Sequence, residues 1–156
     1  KCTVLDTRKT TPGLRVLEKW AVALGGGGHH RMGLYDMVML KDNHIDFAGG
    51  ISKAVARTKA YLAESNRTLA IEVETRNMQE VSAAIQAGVD RIMLDNFSIS
   101  ETKEAVEYIA GRTEVESSGG ITHDTLVPYA ECGVDFISVG ALTHHIKGLD
   151  MSLKAL

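Results

Sequence analysis

Short aliphatic and β-branched runs recur along the chain, and segments whose apolar residues fall at helical spacing separate them. The runs predict strands over residues 2–6, 37–41, 69–74, 91–95, 114–117 and 136–139. Most are nearly continuous in apolar residues, the pattern of strands buried on both faces of a parallel sheet. The intervening segments predict amphipathic helices over 14–24, 51–65, 78–87, 98–110 and 122–132. Pro12 precedes the first of these, while Gly88, Gly111 and Gly133 close later ones, the usual asymmetry of helix starts and stops. Strand and helix alternate throughout, so the expected class is α/β with parallel strands and right-handed crossovers.

The polar residues of these strands cluster at their C-terminal ends. Asp6 to Lys9, Lys41 to His44, Glu72 and Glu74, Asp95 and Asn96, Ser117 to Gly120, and Gly140 all occupy such positions. In parallel α/β folds those ends and the loops after them build the active site. An open sheet draws its site from strands beside one switch point, whereas a barrel draws on all of them. Every strand contributes here, which favours a barrel. The segment 25–31 is four glycines followed by His29, His30 and Arg31, and its composition predicts a mobile loop able to approach a ligand closely.

Composition adds exclusions. The 156 residues are 44% hydrophobic, enough for one sizeable core. The formal net charge is -3 with charges scattered, so there is no basic footprint for nucleic acid. Cys2 and Cys132 lie far apart and form no metal-binding or redox pair, which predicts reduced thiols. No apolar stretch approaches the roughly 18 residues needed to span a bilayer, and no leader pattern opens the chain, so a cytoplasmic protein without membrane contact is expected. The chain enters directly into an apolar run, as a piece of a longer protein would.

Candidate chemistry follows from the strand ends. Ser118, Gly119 and Gly140 lie in glycine-containing turns after the last two strands, where barrels frequently hold a substrate phosphate. Glu74 and Asp95 end neighbouring strands and suit a hydrated magnesium ion, directly or through water, or a ribose diol. Glu72 has the same parity as Glu74 and competes for that role. Arg8, Lys9, Arg31 and Lys41 gather positive charge at the same mouth, which predicts a polyanionic substrate. His29, His30 and His44 lack metal-ligand spacing and read better as hydrogen-bond donors to a carboxylate.

Three motifs in order carry a resemblance: Asp6-Thr7-Arg8-Lys9-Thr10-Thr11-Pro12-Gly13, then Gly25 to Gly28 with His30-Arg31-Met32-Gly33-Leu34-Tyr35-Asp36, then Lys41-Asp42-Asn43-His44. Together with Glu72-Val73-Glu74, Leu94-Asp95-Asn96, Glu116 to Gly120 and Val139 to His144, they resemble the barrel portion of the quinolinate phosphoribosyltransferases. The resemblance implies an incomplete α/β barrel of the seven-stranded type, with about six strands visible in this chain, and a separate N-terminal domain outside it. It implies phosphoribosyl transfer from phosphoribosyl pyrophosphate to quinolinate with decarboxylation, in a homodimer or higher homo-oligomer whose neighbouring subunit completes each site with an arginine.

By position, Arg8, His30 and Arg31 would hold the quinolinate carboxylates, and Lys9 and Lys41 would neutralise substrate and pyrophosphate charge. Glu74 and Asp95 would engage magnesium and the ribose, and Ser118, Gly119 and Gly140 would cradle the 5′-phosphate. Lys9, Lys41, Glu74 and Asp95 form the expected catalytic set. Another phosphate-binding barrel, such as a sugar-phosphate isomerase or lyase, is the competing enzyme class. A non-catalytic relative, or one serving molybdenum utilisation, is the other alternative.

Overall fold

The computed structural model describes residues 2–155 and carries six parallel strands flanked by helices. The strands are β1 (Thr3–Leu5), β2 (Val38–Leu40), β3 (Ile71–Thr75), β4 (Arg91–Asp95), β5 (Glu114–Ser118) and β6 (Phe136–Ser138). The helices are α1 (Arg15–Leu24), α2 (Asp42–Ala48), α3 (Ile51–Glu64), α4 (Met78–Ala87), α5 (Ile99–Ile109), α6 (His123–Glu131) and α7 (Ala141–His144). The expected elements are present with ends shifted by a residue or two, and α2 and α7 are additional. The sheet order is β1-β6-β5-β4-β3-β2, so β1 and β2 are its edges and the sheet does not close, as an incomplete barrel requires.

Pairing register assigns each side chain a face. Val73 lies beside Ile92, Ile92 beside Val115, and Val4 beside Ile137, and these residues face the helices. With Val55, Val81 and Ile109 they form the main apolar core, between sheet and helices. At about 25 cal/mol per Å2 of apolar surface, that layer is the chief source of stability. The helices are held in place by local signals: the Asn77 side chain accepts the Glu80 N–H at the start of α4, and Ser98 and Glu101 form a capping box on α5.

The opposite face is not the apolar interior that near-continuous strands predict. Glu72 pairs with Arg91, Glu74 with Met93 and Met93 with Glu116, so the inner face carries charge at mid-strand as well as at strand ends. Glu72 and Glu116 are both fully buried there. The barrel interior is therefore polar beneath the mouth, and the apolar core is confined to the outer layer.

The glycine segment also differs from expectation. Gly28 donates its N–H to the Val4 carbonyl at 2.8 Å and accepts the Asp6 N–H at 3.2 Å, making a parallel bridge beside Leu5. This single bridge adds a seventh, one-residue rung outside β1. Space at Gly28 is tight: a Cβ would stand 2.9 Å from a Leu5 methyl and 3.0 Å from that of Thr3, so those side chains would have to shift. One residue of the glycine segment is thus tied to the sheet edge, and the rest of residues 25–31 runs as turn and coil.

Candidate active site

Loop 6–11, after β1, carries Arg8 and Lys9, and α1 holds it with the helix's charged face. Lys19 is fully buried and forms an ion pair with Asp6, which is buried as well. Asp6 also lies 2.7 Å from His29 Nδ1 and accepts the His30 backbone N–H at 3.0 Å, so one carboxylate ties β1, α1 and the glycine segment together. Glu18 accepts the Thr11 N–H at 2.9 Å, Arg15 donates to Thr10 Oγ1 at 3.1 Å and to the Arg8 carbonyl at 3.3 Å. From the other side the Thr143 hydroxyl of α7 donates to the Lys9 carbonyl at 2.8 Å. Meanwhile Val16, Leu17, Trp20 and Leu24 of α1 face outward, each more than half exposed. The helix is inverted, polar inside and apolar outside.

The loop closes over a cavity of about 270 Å3, lined by Thr7, Arg8, Lys9, His30, Arg31, Met39, Lys41, Met93 and Ser138. All four cations expected at the mouth meet there. Burial first, and then the neighbouring Arg8 guanidinium, hold the Arg31 pKa below its usual value, with Glu72 and Asp36 acting in the opposite sense. Two guanidiniums brought together in a half-buried place favour an anion between them. Arg8 Nε is buried and has no hydrogen-bond partner among the described residues. Met39 and Met93 supply apolar lining suited to a flat ring.

His30 is placed differently from a free donor. The Arg31 N–H donates to its Nδ1 at 2.8 Å, while Nε2 lies 2.9 Å from Glu72 Oε2 and 3.5 Å from Glu116 Oε2. Both ring nitrogens face protein atoms, and the ring itself forms part of the cavity wall. His44 Nδ1 accepts the Lys41 N–H at 3.0 Å at the start of α2, a local turn-stabilising contact.

The two expected carboxylates stand on the neighbouring strand ends. Glu74 Oε2 is 2.5 Å from Lys41 Nζ. Burial, and secondarily the Glu74 charge, push the Asp95 pKa up, so the two carboxylates sense each other. Asn96 donates to Asp95 at 2.9 Å. Two hard oxygen donors with mutual repulsion suit a hydrated divalent cation. Glu72, the alternative for this role, is one rung deeper and faces His30 instead.

Ser118 pairs with Asp95, and its carbonyl accepts the Asn96 N–H at 2.9 Å. Gly119 has φ +99, and a Cβ there would meet Asn96 Oδ1 at 2.3 Å. Gly140 adjoins Lys9, whose Cδ would be 3.7 Å from a Cβ at that glycine. Gly140 thus stands beside Lys9 of the cavity wall, whereas Ser118, Gly119, Glu74 and Asp95 are not among the residues that line the cavity. Sequence reasoning missed Met39, Met93 and Ser138 of the lining, the Asp6–Lys19 pair and the contact of Glu116 with His30. The alternation Glu72, Glu74 on β3 and Glu114, Glu116, Ser118 on β5 was the available signal for an inner polar face.

Residues 1–154 match the family described as quinolinate phosphoribosyl transferase, C-terminal domain. The chloroplastic nicotinate-nucleotide pyrophosphorylase [carboxylating] of Oryza sativa subsp. japonica is 49% identical over 166 residues, which cover 97% of this chain and 45% of the rice protein. A crystal structure of NadC from Streptococcus pyogenes superposes with a TM-score of 0.92 at 45% identity, covering 99% of this chain and 53% of that one. The nicotinate-nucleotide pyrophosphorylase of Francisella tularensis gives a TM-score of 0.85 at 50% identity, covering 94% and 51%. The chain spans about half the length of the relatives it matches.

Proposed function

The chain belongs to the quinolinate phosphoribosyltransferase C-terminal domain family, and from that premise we propose that it forms the barrel of an enzyme that joins quinolinate to phosphoribosyl pyrophosphate and releases nicotinate mononucleotide, pyrophosphate and carbon dioxide. The observation that carries this reading is the cavity in which Arg8, Lys9, Arg31 and Lys41 surround a space with two methionines in its wall. A planar pyridine dicarboxylate matches both features. A sugar phosphate would leave the arginine pair and the apolar lining without a use.

In this reading Arg8 and Arg31 clamp the two carboxylates and Met39 and Met93 pack on the ring. His30 shapes the wall and fixes the Arg31 peptide, because its Nδ1 accepts the Arg31 N–H and its Nε2 faces Glu72 and Glu116. The pyridine nitrogen attacks the anomeric carbon as pyrophosphate departs, and it needs no base because it carries no proton. Catalysis rests on positioning and on cations facing the developing charge. Lys9 and Lys41 supply that charge. The nitrogen, once alkylated, is cationic; when the adjacent carboxylate departs as carbon dioxide, the electron pair stays on the ring carbon and the neighbouring positive nitrogen stabilises it. The resulting carbanion takes a proton in its place.

Glu74 and Asp95 would hold magnesium, which when bound neutralises pyrophosphate charge. Ser118, Gly119 and Gly140 would receive the 5′-phosphate along the rim. No helix among the described residues is long and apolar enough to cross a membrane. Both cysteines are free thiols, which supports a reducing compartment such as the cytoplasm. The outward apolar face of α1 supports assembly as a homodimer or larger homo-oligomer, with a neighbour's N-terminal domain completing the site.

The test is to incubate the intact protein with quinolinate, phosphoribosyl pyrophosphate and magnesium and to follow nicotinate mononucleotide and carbon dioxide. Equal amounts of the two products are expected. Turnover of a sugar phosphate with no response to quinolinate would overturn the proposal.

A further inference from the structure

Beneath the cationic cavity lies a buried group of charges that substrate contact does not explain. Glu72, on β3, and Glu116, on β5, face each other across the inner side of β4, each with no exposed surface. Neither Glu72 oxygen, nor Glu116 Oε1, nor His30 Nε2 reaches well-aligned hydrogen-bond geometry with any described residue. Arg91 approaches from β4, 3.2 Å from Glu116 Oε2, while stacking 3.9 Å over the Phe136 ring and pairing with Glu114 at 3.0 Å. Two buried carboxylates with so few partners are expensive in stability. A core of leucines would be cheaper, so their placement calls for a role.

We propose that Glu72 and Glu116 are positioning residues for the anion receptor: they hold the His30 ring, and through it the Arg31 peptide, in the orientation that aims the Arg31 guanidinium into the cavity. This rests on the proposed quinolinate site and adds residues to it that do not touch substrate. The chain of contacts is short. The Arg31 N–H donates to His30 Nδ1, which places the ring proton on Nε2. His30 Nε2 lies 2.9 Å from Glu72 Oε2 and 3.5 Å from Glu116 Oε2. Neither contact has hydrogen-bond alignment, so the two carboxylates act on the ring through charge and close packing.

Glu72 acts in a second way, since its charge offsets the burial and the like charge of Arg8 that work against the Arg31 cation. The backbone on either side is fixed independently, because Asp6 accepts the His30 N–H and Lys19 Nζ donates to the His30 carbonyl at 3.4 Å. The ring remains to be set, and the two glutamates set it. One atom each from His30, Glu72 and Glu116 lie within 4.8 Å of one another, as in a metal site. A ring proton on Nε2 closes that nitrogen to a cation, so a protonated Nε2 facing the two carboxylates is the arrangement the geometry supports.

The experiment uses the intact protein with ring-15N histidine, the His30 signals being assigned by their loss in His30→Gln. In the parent, His30 should show the Nε2–H tautomer without any substrate present. Glu72→Leu should disturb that pattern and raise the KM for quinolinate about tenfold or more, with the KM for phosphoribosyl pyrophosphate changed less than threefold. Glu72→Gln keeps an acceptor and should recover most of the loss. If Glu72→Leu does not fold, Glu116→Leu is read in its place, expected to shift the His30 signals and the quinolinate KM while sparing the other substrate. A parent ring proton on Nδ1, an equal rise in both KM values, or a folded Glu72→Leu with a quinolinate KM within twofold of the parent would overturn the proposal. Failure of the parent to use quinolinate would instead overturn the functional reading, and the tautomer measurement would still decide the positioning.

Discussion

Lys41 Nζ lies 2.5 Å from Glu74 Oε2, joining the end of β2 to the end of β3 at the rim of the cavity. Lys41 is about half exposed and Glu74 mostly covered, so the pair is a site feature and not a core brace. An ion pair at that exposure adds little to stability. Lys41→Ala in the intact protein should therefore leave the melting temperature nearly unchanged. It should reduce kcat/KM for quinolinate by roughly 10- to 150-fold, the equivalent of a charge-assisted hydrogen bond at about 1.5–3 kcal/mol. Steady-state kinetics beside a melting curve measures both, and activity within about threefold of the parent would remove Lys41 from the site.

Glu74 and Asp95 should separate metal from substrate. Glu74→Gln and Asp95→Asn each remove one charge from a pair in which burial and then Glu74 raise the Asp95 pKa. Each variant should need about tenfold more magnesium for half-maximal rate, or about 1.4 kcal/mol of lost affinity. The quinolinate KM should stay within threefold. A magnesium titration curve unchanged in both variants would leave the carboxylates with a salt-bridge role only.

Glu116 gives the fold a pH dependence of its own. Burial first, and then the Glu72 charge, push its pKa from the ordinary 4.5 up to about 7. Between those values the folded protein binds more protons at this site than the unfolded chain. The site's contribution to stability is thus fully present below 4.5 and is lost as pH rises through about 7. Glu116→Gln removes the titration, so its melting temperature relative to the parent should be higher at pH 8 than at pH 5. Thermal melts of both proteins across that range check the sign, and a difference that is flat or reversed would contradict the assignment.

The two rim glycines should respond differently to alanine. At Gly119 the backbone has φ +99, and a Cβ would stand 2.8 Å from the Asn96 backbone nitrogen, which cannot swing aside. Gly119→Ala should cost about 1–3 kcal/mol and lower the melting temperature by several degrees. At Gly140 the obstacle is the exposed end of His144, whose Nε2 would be 2.6 Å away and is free to rotate. Gly140→Ala should melt close to the parent yet raise the KM for phosphoribosyl pyrophosphate, because it fills space beside Lys9. Paired melting and kinetic measurements distinguish the two, and equal destabilisation by both would contradict the placement.

Much of this architecture was legible in the chain, and what was hidden has physical reasons. The strand Arg91–Asp95 and the helix Met78–Ala87 were read with their observed ends, because an apolar run and a closing glycine bound them. The helix Asp42–Ala48 was hidden, since seven residues are too few to display a period and its charged start reads as a loop. The rung at Gly28 depends on hydrogen bonds to β1 from a segment with no side chains to announce them. The strand-end cations were placed correctly in one cavity, because composition at the ends of parallel strands converges in space. Glu116 was missed as a partner of His30 because their meeting depends on the sheet register across Glu72 and Arg91, which no local pattern specifies.

Along α1 the usual tolerance to substitution runs backwards. Its interior is wired by Glu18 and Lys19, and its exterior carries Val16, Leu17, Trp20 and Leu24. A change from leucine to serine outside costs the barrel almost nothing, whereas a change from lysine to methionine inside strands Asp6 and releases the loop that carries Arg8 and Lys9. A hydropathy rule would therefore spare the very positions that hold the loop and guard those whose use lies outside the barrel.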